Sequence, residues 1–352
     1  MNDFMADFSI NGRSIGQDAP TYIIAEMSAN HHQDFDTAAK LVEKAKEIGA
    51  DAIKVQTYTP DTLTIDVDSD LFRHGKGSLW EDRTLYDLYK EAYMPWEWQP
   101  KLQQVAHDLG LDFFSTAYDE TSVDFLEELD VPVYKVASFE LVDLPLLRKI
   151  AQTGRPIILS TGMATLAEID EAVRTIREAG GEQLSLLKCT SAYPAPPEEM
   201  NLRTISHLAE AFGLPTGLSD HTLGIAVPVA AVAIGACIVE KHFTLSRDEP
   251  GPDSAFSLEP QEFKAMVEAI RVAEEALGEV SYEVTEREQE SRVFRRSLFV
   301  VKDIEAGEEF TKENVRSIRP GYGLDTRYLG KVLGQRAAKY IERGTPLGEA
   351  DS

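Results

Sequence analysis

The chain has 352 residues, 43% of them hydrophobic and 27% charged, an ordinary globular composition with no apolar run near the roughly 18 residues of a membrane span. Its 35 Lys and Arg against 60 Asp and Glu give a net charge of −25, which repels nucleic acid and anionic membrane surfaces and excludes both as expected partners. The opening MNDFMADFSINGRS is acidic before it is basic and has no apolar centre, so it does not read as a secretory leader, and a soluble, cytoplasmic protein is expected.

Eight short runs rich in Val, Ile and Leu follow in order. They are TYIIAE (21–26), AIKVQT (52–57), DFFSTA (112–117), VYKVAS (133–138), PIILST (156–161), LSLLKCT (184–190), PTGLSD (215–220) and CIVEKH (237–242). Such runs suit strands buried beneath helices, and the stretches between them carry apolar residues three and four apart. Ala38, Leu41, Ala45 and Ile48 are one example, closed by Gly49. Thr165 and Glu168 form a capping box ahead of Ile169, Val173 and Ile176, and Gly180 ends that helix. An eightfold strand–helix alternation predicts an α/β fold, a (β/α)8 TIM barrel, whose chemistry gathers at the C-terminal ends of its strands.

The connection from Thr57 to the helix near Trp96 is long and contains GKGSLWEDRTLYDLYKEAYMP, which predicts a lid over the pocket. A polar linker follows Leu277. In the terminal segment VVKDIEAGEEFTKENV (300–315) is echoed by AAKYIERGTPLGEADS (337–352), which predicts a small, pseudo-symmetric β-rich module. The expected division is a catalytic barrel over 1–280, a linker over 281–293 and the small domain over 294–352.

The strand ends carry the chemistry. Lys54 and Gln56 share one face of their strand, as do Glu240 and His242. Polar groups in so apolar a setting cost several kcal/mol if unpaired, so they call for a ligand. His221 and His242 close the last two runs, where neighbouring strands bring two imidazoles to one divalent cation acting as a Lewis acid. Lys54, Lys135 and Lys188 with Ser138, Ser160, Thr161 and Ser219 suit a phosphate and a carboxylate. Glu26 is the natural acid or base. A Schiff-base lysine is the rival use of such a barrel. His31 and His32 read equally as site or surface groups, and His74, His107 and His207 read as structural. Cys189 and Cys237 lie in apolar runs and read as buried thiols, not as a disulfide or metal site.

The motifs IIAEMSANHHQDFDTA, ADAIKVQTYTPD, YKVASFE, ILSTGMAT, LLKCTSAYPAP, GLSDHTLG and VEKHFTLSRDEPGPDSAFSLEP together resemble the phosphoenolpyruvate-dependent sialic acid synthases. The tail resembles their antifreeze-like (SAF) domain, and that resemblance prompts the non-enzymatic alternative, a sugar- or ice-binding protein that keeps the barrel as scaffold. Within the family, IIAEMSANH, KVQTYTPDTLT, LWEDRTLYDLYKEAYMPWEW and RVFRRSLFVVKDI are most similar to the pseudaminic acid branch. Lys188 and the Ser28–Ala29 pair depart from the neuraminate pattern.

The resemblance implies condensation of phosphoenolpyruvate with the open-chain aldehyde of an acetamido sugar, with release of phosphate. It implies that His221 and His242 hold a divalent metal ion, typically manganese (Mn2+), and that Glu26 handles protons at the aldehyde. Lys54, Thr116, Lys135, Ser138, Ser160 and Ser219 would then hold phosphoenolpyruvate, with Lys188 and Glu240 beside them. Gln56, Tyr193 and Asp253 would lie nearer the sugar. It also implies a domain-swapped homodimer, in which Arg319 of the SAF domain reaches the partner's sugar. Trp80, Tyr86, Tyr89 and Tyr93 would supply a less polar wall for a 6-deoxy sugar.

Overall fold

The computed structural model describes residues 7–75 and 79–351. Residues 1–6, where the leader reading begins, and 76–78 of the expected lid lie outside the described residues. The chain divides into a unit ending at Gly278 and a second beginning at Glu279. Among the described residues no helix is long and apolar enough to cross a membrane.

The eight runs form eight strands: β1 (Tyr22–Glu26), β2 (Ala52–Thr57), β3 (Asp112–Ala117), β4 (Tyr134–Val136), β5 (Ile157–Ser160), β6 (Leu184–Cys189), β7 (Thr216–Asp220) and β8 (Ile238–His242). They close into one barrel in which β8 returns to β1, and every neighbouring pair is parallel. Eight helices cover it: α1 (Phe35–Glu47), α2 (Gln99–Asp108), α3 (Glu120–Glu128), α4 (Leu144–Gln152), α5 (Leu166–Glu178), α6 (Thr204–Phe212), α7 (Ala226–Ala233) and α8 (Pro260–Leu277). This is the predicted (β/α)8 architecture.

Local chemistry sets the helix starts. Asp34, Asp119 and Asp143 accept from the first-turn amides of α1, α3 and α4. Thr165 and Glu168 close the expected capping box on α5. Outward strand residues such as Ile23, Ile53, Val55 and Val239 pack against Leu41, Val42, Ala45 and Met266 in the layer beneath the helices. At the N-terminal end of the barrel Asp51 accepts from Ile23 N at 2.8 Å and pairs with Arg13 and Arg271. The opposite, C-terminal end is left for the site.

The second unit is built on the antiparallel pair β9 (Ser297–Val300) and β10 (Val315–Ile318). Its core joins Leu298, Val300, Ile304, Phe310, Val315, Ile341 and Leu347. The sequence repeat has a physical counterpart here, because Ile304 and Ile341, equivalent in the two copies, exchange reciprocal backbone hydrogen bonds of 3.0 and 2.9 Å.

Gly217 on β7 is required by close approach. A Cβ there would meet Ile238 O at 2.3 Å and Leu187 Cδ2 at 2.8 Å, in the part of the barrel wall that carries both imidazoles. Gly217→Ala is therefore expected to destabilise the barrel by about 1–3 kcal/mol through overpacking, read as a lower urea midpoint; an unchanged midpoint would show that the wall yields freely.

Candidate active site

The alternation of each strand sends one set of side chains into a cavity of about 340 Å³ at the C-terminal end of the barrel. Its lining includes Glu26 from β1, Lys54 and Gln56 from β2, Thr116 from β3, Lys135 from β4 and Ser160 from β5. Ser219 from β7, His221 directly after that strand, and Glu240 and His242 from β8 complete it, with Ser138, Tyr193 and Asp253 from the loops above. Register holds these groups level, since His242 lies opposite Glu26, Glu26 opposite Lys54, Thr116 opposite Lys135, and Ser219 opposite Glu240.

The ammonium of Lys54, fully buried, lies 2.7 Å from Glu26 Oε2 and 3.6 Å from Glu240 Oε1, and donates to Thr116 Oγ1 at 2.9 Å. Lys135 donates to Ser160 Oγ at 2.7 Å and stands 3.9 Å from Glu240 Oε2. Gln56 Nε2 donates to Glu26 Oε1 and to Ser28 Oγ, both at 2.8 Å, and Ser28 in turn donates to Asp253. Ser138 Oγ accepts from Gly162 N at 3.0 Å.

The two lumen carboxyls are pushed apart in acidity. Burial pushes Glu26 up to about 7 against the pull of Lys54. Burial also acts on Glu240, but Lys135, Lys54 and His221 together more than offset it and hold that carboxylate below its ordinary range. A pair of carboxyls so separated suits proton transfer at Glu26 and fixed negative charge at Glu240.

The imidazoles of His221 and His242 stand edge to face with centroids 5.4 Å apart. His221 Nδ1 lies 2.9 Å from Thr190 O; a carbonyl only accepts, so Nδ1 carries a proton and Nε2 is the nitrogen left for a cation, while burial of the ring is outweighed by Cys189 beside it, which pushes it above the ordinary imidazole range. Burial, then His221 and Lys54, hold His242 well below the ordinary imidazole range and so neutral, and its buried Nδ1 has no hydrogen-bond partner. Among the described residues no group of three or more His, Cys, Asp or Glu is arranged to hold a metal, so a cation here would have these two nitrogens and open positions for ligand oxygens.

Some expected groups lie elsewhere. Lys188 does not line the cavity: its Nζ donates to Cys189 O at 2.7 Å and Thr190 Oγ1 at 3.1 Å, and alternation at the end of β6 sends Cys189 inward in its place. Arg319 follows β10 in the second unit and is exposed. His31 is buried edge-on to Trp98 at 5.8 Å, away from the cavity lining. His74, expected to be structural, lines the cavity and stands 5.3 Å from Trp80. Of the four lid aromatics, Trp80 and Tyr89 reach the lining, whereas Tyr86 donates to Asp61 at 3.2 Å.

Sequence reasoning missed Glu140, Cys189, Tyr58 and Tyr118, all of which line the cavity. Glu140 follows Ser138 directly in ASFE, and that proximity was its only signal. Burial pushes its carboxyl up to about 7, and its Oε2 has no hydrogen-bond partner.

Residues 41–282 match the NeuB family model and residues 295–351 the SAF domain. The pseudaminic acid synthase of Campylobacter jejuni is 46% identical over 334 residues, covering 95% of this chain and 97% of its own length. The N,N'-diacetyllegionaminic acid synthase of Legionella pneumophila is 39% identical, covering 96% of each chain. The crystal structure of N-acetylneuraminic acid (sialic acid) synthetase from Leptospira borgpetersenii aligns with a TM-score of 0.72 at 31% identity, over 82% of this chain and 96% of that one. The chain is an enzyme of the NeuB family, with a barrel of that family followed by a SAF domain.

Proposed function

We propose that this enzyme condenses phosphoenolpyruvate with 2,4-diacetamido-2,4,6-trideoxy-altrose to give pseudaminic acid and phosphate. The observation that carries the reading is the division of one cavity into two parts. A floor of two lysines, hydroxyls and a proton-carrying carboxyl lies at the strand ends, beneath a wall of Tyr58, Leu63, Trp80, Leu88, Tyr89 and Tyr118. The 46% identity to a pseudaminic acid synthase favours this sugar over the legionaminic and neuraminic precursors.

The phosphate and carboxylate of phosphoenolpyruvate are held by Lys54 and Lys135, with Thr116, Ser138, Ser160 and Ser219 donating hydroxyl hydrogen bonds. The new C–C bond joins the methylene carbon of phosphoenolpyruvate to the aldehyde carbon of the sugar, Glu26 delivers its proton to the aldehyde oxygen as it becomes a hydroxyl, and water adds at the phosphate-bearing carbon, which becomes the ketone. One water is taken up and phosphate leaves, which balances the reaction. His221 Nε2 and His242 Nδ1 would hold a divalent ion, manganese in this reading, which supplies Lewis-acid polarisation at the aldehyde.

Gln56, Tyr193 and Asp253 stand on the sugar side. Glu140, uncharged below about pH 7 and set in the aromatic wall, offers its carboxyl to a substrate amide. Arg319 completes the sugar pocket of a partner subunit in a domain-swapped homodimer.

A second reading has one observation in its favour: burial pushes the Lys135 ammonium below its ordinary range, as a Schiff-base lysine requires. Borohydride trapping of pyruvate on Lys135, insensitive to chelator, would establish it and displace the first.

The proposed reaction predicts that purified protein with Mn2+ releases phosphate from phosphoenolpyruvate only when the diacetamido-trideoxy sugar is present, and that chelation stops it. Release with no acetamido hexose at all would defeat it. Glu26→Gln is expected to lower kcat by about 10²–10⁴-fold while retaining phosphoenolpyruvate binding.

Glu140 also makes a pH prediction. The folded protein keeps a proton there that the unfolded chain, with a carboxyl near about 4.3, has lost. Its contribution to stability is therefore full below the unfolded value and lost as pH rises through about 7. From about pH 6 to about pH 8 the melting temperature should fall more steeply for the parent than for Glu140→Gln; parallel curves would remove Glu140 as a buried acid.

The swapped dimer predicts complementation. Inactive Glu26→Gln and Arg319→Ala chains, mixed and allowed to exchange subunits, should regain activity, because one barrel then has both groups. No recovery from exchanged heterodimers would place Arg319 in its own chain's site or outside any site.

A further inference from the structure

Asp220 and Lys241 occupy the alternate positions among the site groups of β7 and β8. Ser219 and His221 flank Asp220, Glu240 and His242 flank Lys241, and the two residues lie opposite each other in register. Neither lines the cavity. Alternation turns both away from it, into the layer behind the barrel wall, where Glu262 of α8 adds to the field at Lys241, and both side chains are 0% exposed.

Their bonds converge on one residue. Lys241 Nζ donates to Asp220 Oδ2 and to Thr222 O, both at 2.5 Å. Asp220 Oδ1 accepts from Thr222 N at 3.0 Å, and Oδ2 accepts from Thr222 Oγ1 at 3.2 Å. The amide, hydroxyl and carbonyl of Thr222 are thus all tied to the pair, and Thr222 directly follows His221. On the other side of the same ring, Nδ1 is fixed by Thr190 O at 2.9 Å.

A buried ion pair contributes little net stability compared with apolar residues of the same volume. What it supplies is direction. Two imidazoles that share one cation must be held to within about 0.5 Å and 10–20°, and the pair bridges the two strands that carry them, one residue from each ring.

We propose that Asp220 and Lys241 are positioning residues: their ion pair, behind the barrel wall, pins Thr222 and locks β7 to β8 so that His221 and His242 face one divalent cation. This rests on the metal reading of the two histidines given above.

The test uses the full-length protein stripped of metal, titrated with Mn2+ by calorimetry and by the loss of the free-ion electron paramagnetic resonance signal. In the double variant Asp220→Asn, Lys241→Met, which removes both charges and strands neither, the Mn2+ Kd should rise by about tenfold or more. Phosphoenolpyruvate affinity without metal and the melting temperature of the metal-free protein should stay near parental values. With substrate, kcat should fall at low Mn2+ and recover at excess Mn2+, with the KM for phosphoenolpyruvate unmoved, a split that a purely structural pair would not produce. A folded double variant that binds Mn2+ as tightly as the parent overturns the proposal.

Thr222→Val, which deletes only the hydroxyl bond, should weaken Mn2+ binding in the same direction by a smaller factor. If the double variant does not fold, unchanged affinity in Thr222→Val overturns the proposal instead. The metal reading fails separately, by equal Mn2+ binding in the parent and in His221→Ala.

Discussion

The burial of Lys54 is the constraint from which the site follows. An ammonium removed from water costs several kcal/mol unless it is paired and hydrogen bonded, and this one meets the two carboxyls at the strand ends, Glu26 at 2.7 Å and Glu240 at 3.6 Å. The same arrangement separates the two acids. Glu240, shared with Lys135, is held ionised, while burial pushes Glu26 up to about 7, where it carries or gives up a proton near neutrality. An anionic ligand entering between Lys54 and Lys135 competes with those carboxyls for the same ammonium groups, so ligand charge and the proton on Glu26 are linked by the geometry.

The barrel supplies this constraint cheaply because neighbouring strands present their ends at one level. His242 against Glu26, Glu26 against Lys54 and Thr116 against Lys135 are backbone registers. The reverse face of the same strands is used as well. On β7 and β8 the inward groups line the cavity and the outward pair joins the two strands, so alternate residues of one short segment face the cavity and the wall behind it. The net charge of −25 does not decide what the cavity accepts, because the field there is set by buried groups a few ångströms apart.

Much of this was legible in the sequence, for identifiable reasons. Each strand is a short apolar run interrupted by polar residues that an apolar setting does not tolerate without partners, which exposed Glu26, Lys54, Gln56, Lys135, Glu240 and His242. The Thr165–Glu168 cap and the Ile304–Ile341 repeat were visible because both are local patterns of fixed spacing. What failed was phase at a strand end. In LLKCT, Lys188 is the more polar residue, yet a one-residue register decides which side chain faces in, and Cys189 does. Asp220 and Lys241 stood among the polar strand ends, and alternation turns them outward. Glu140, Tyr58, Tyr118 and His74 sit beyond the strands in connections with no periodicity, so only the folded chain brings them to the cavity wall.

The central claim is that one cavity holds a cation on two imidazoles beside a lysine-bound enol phosphate. Anomalous diffraction from crystals soaked with Mn2+ and phosphoenolpyruvate tests it most directly. The account predicts a manganese peak bonded to the rings of both His221 and His242, with the phosphate and carboxylate density against Lys54 and Lys135. Manganese bound away from that pair, or phosphoenolpyruvate seated outside the strand ends, would contradict it.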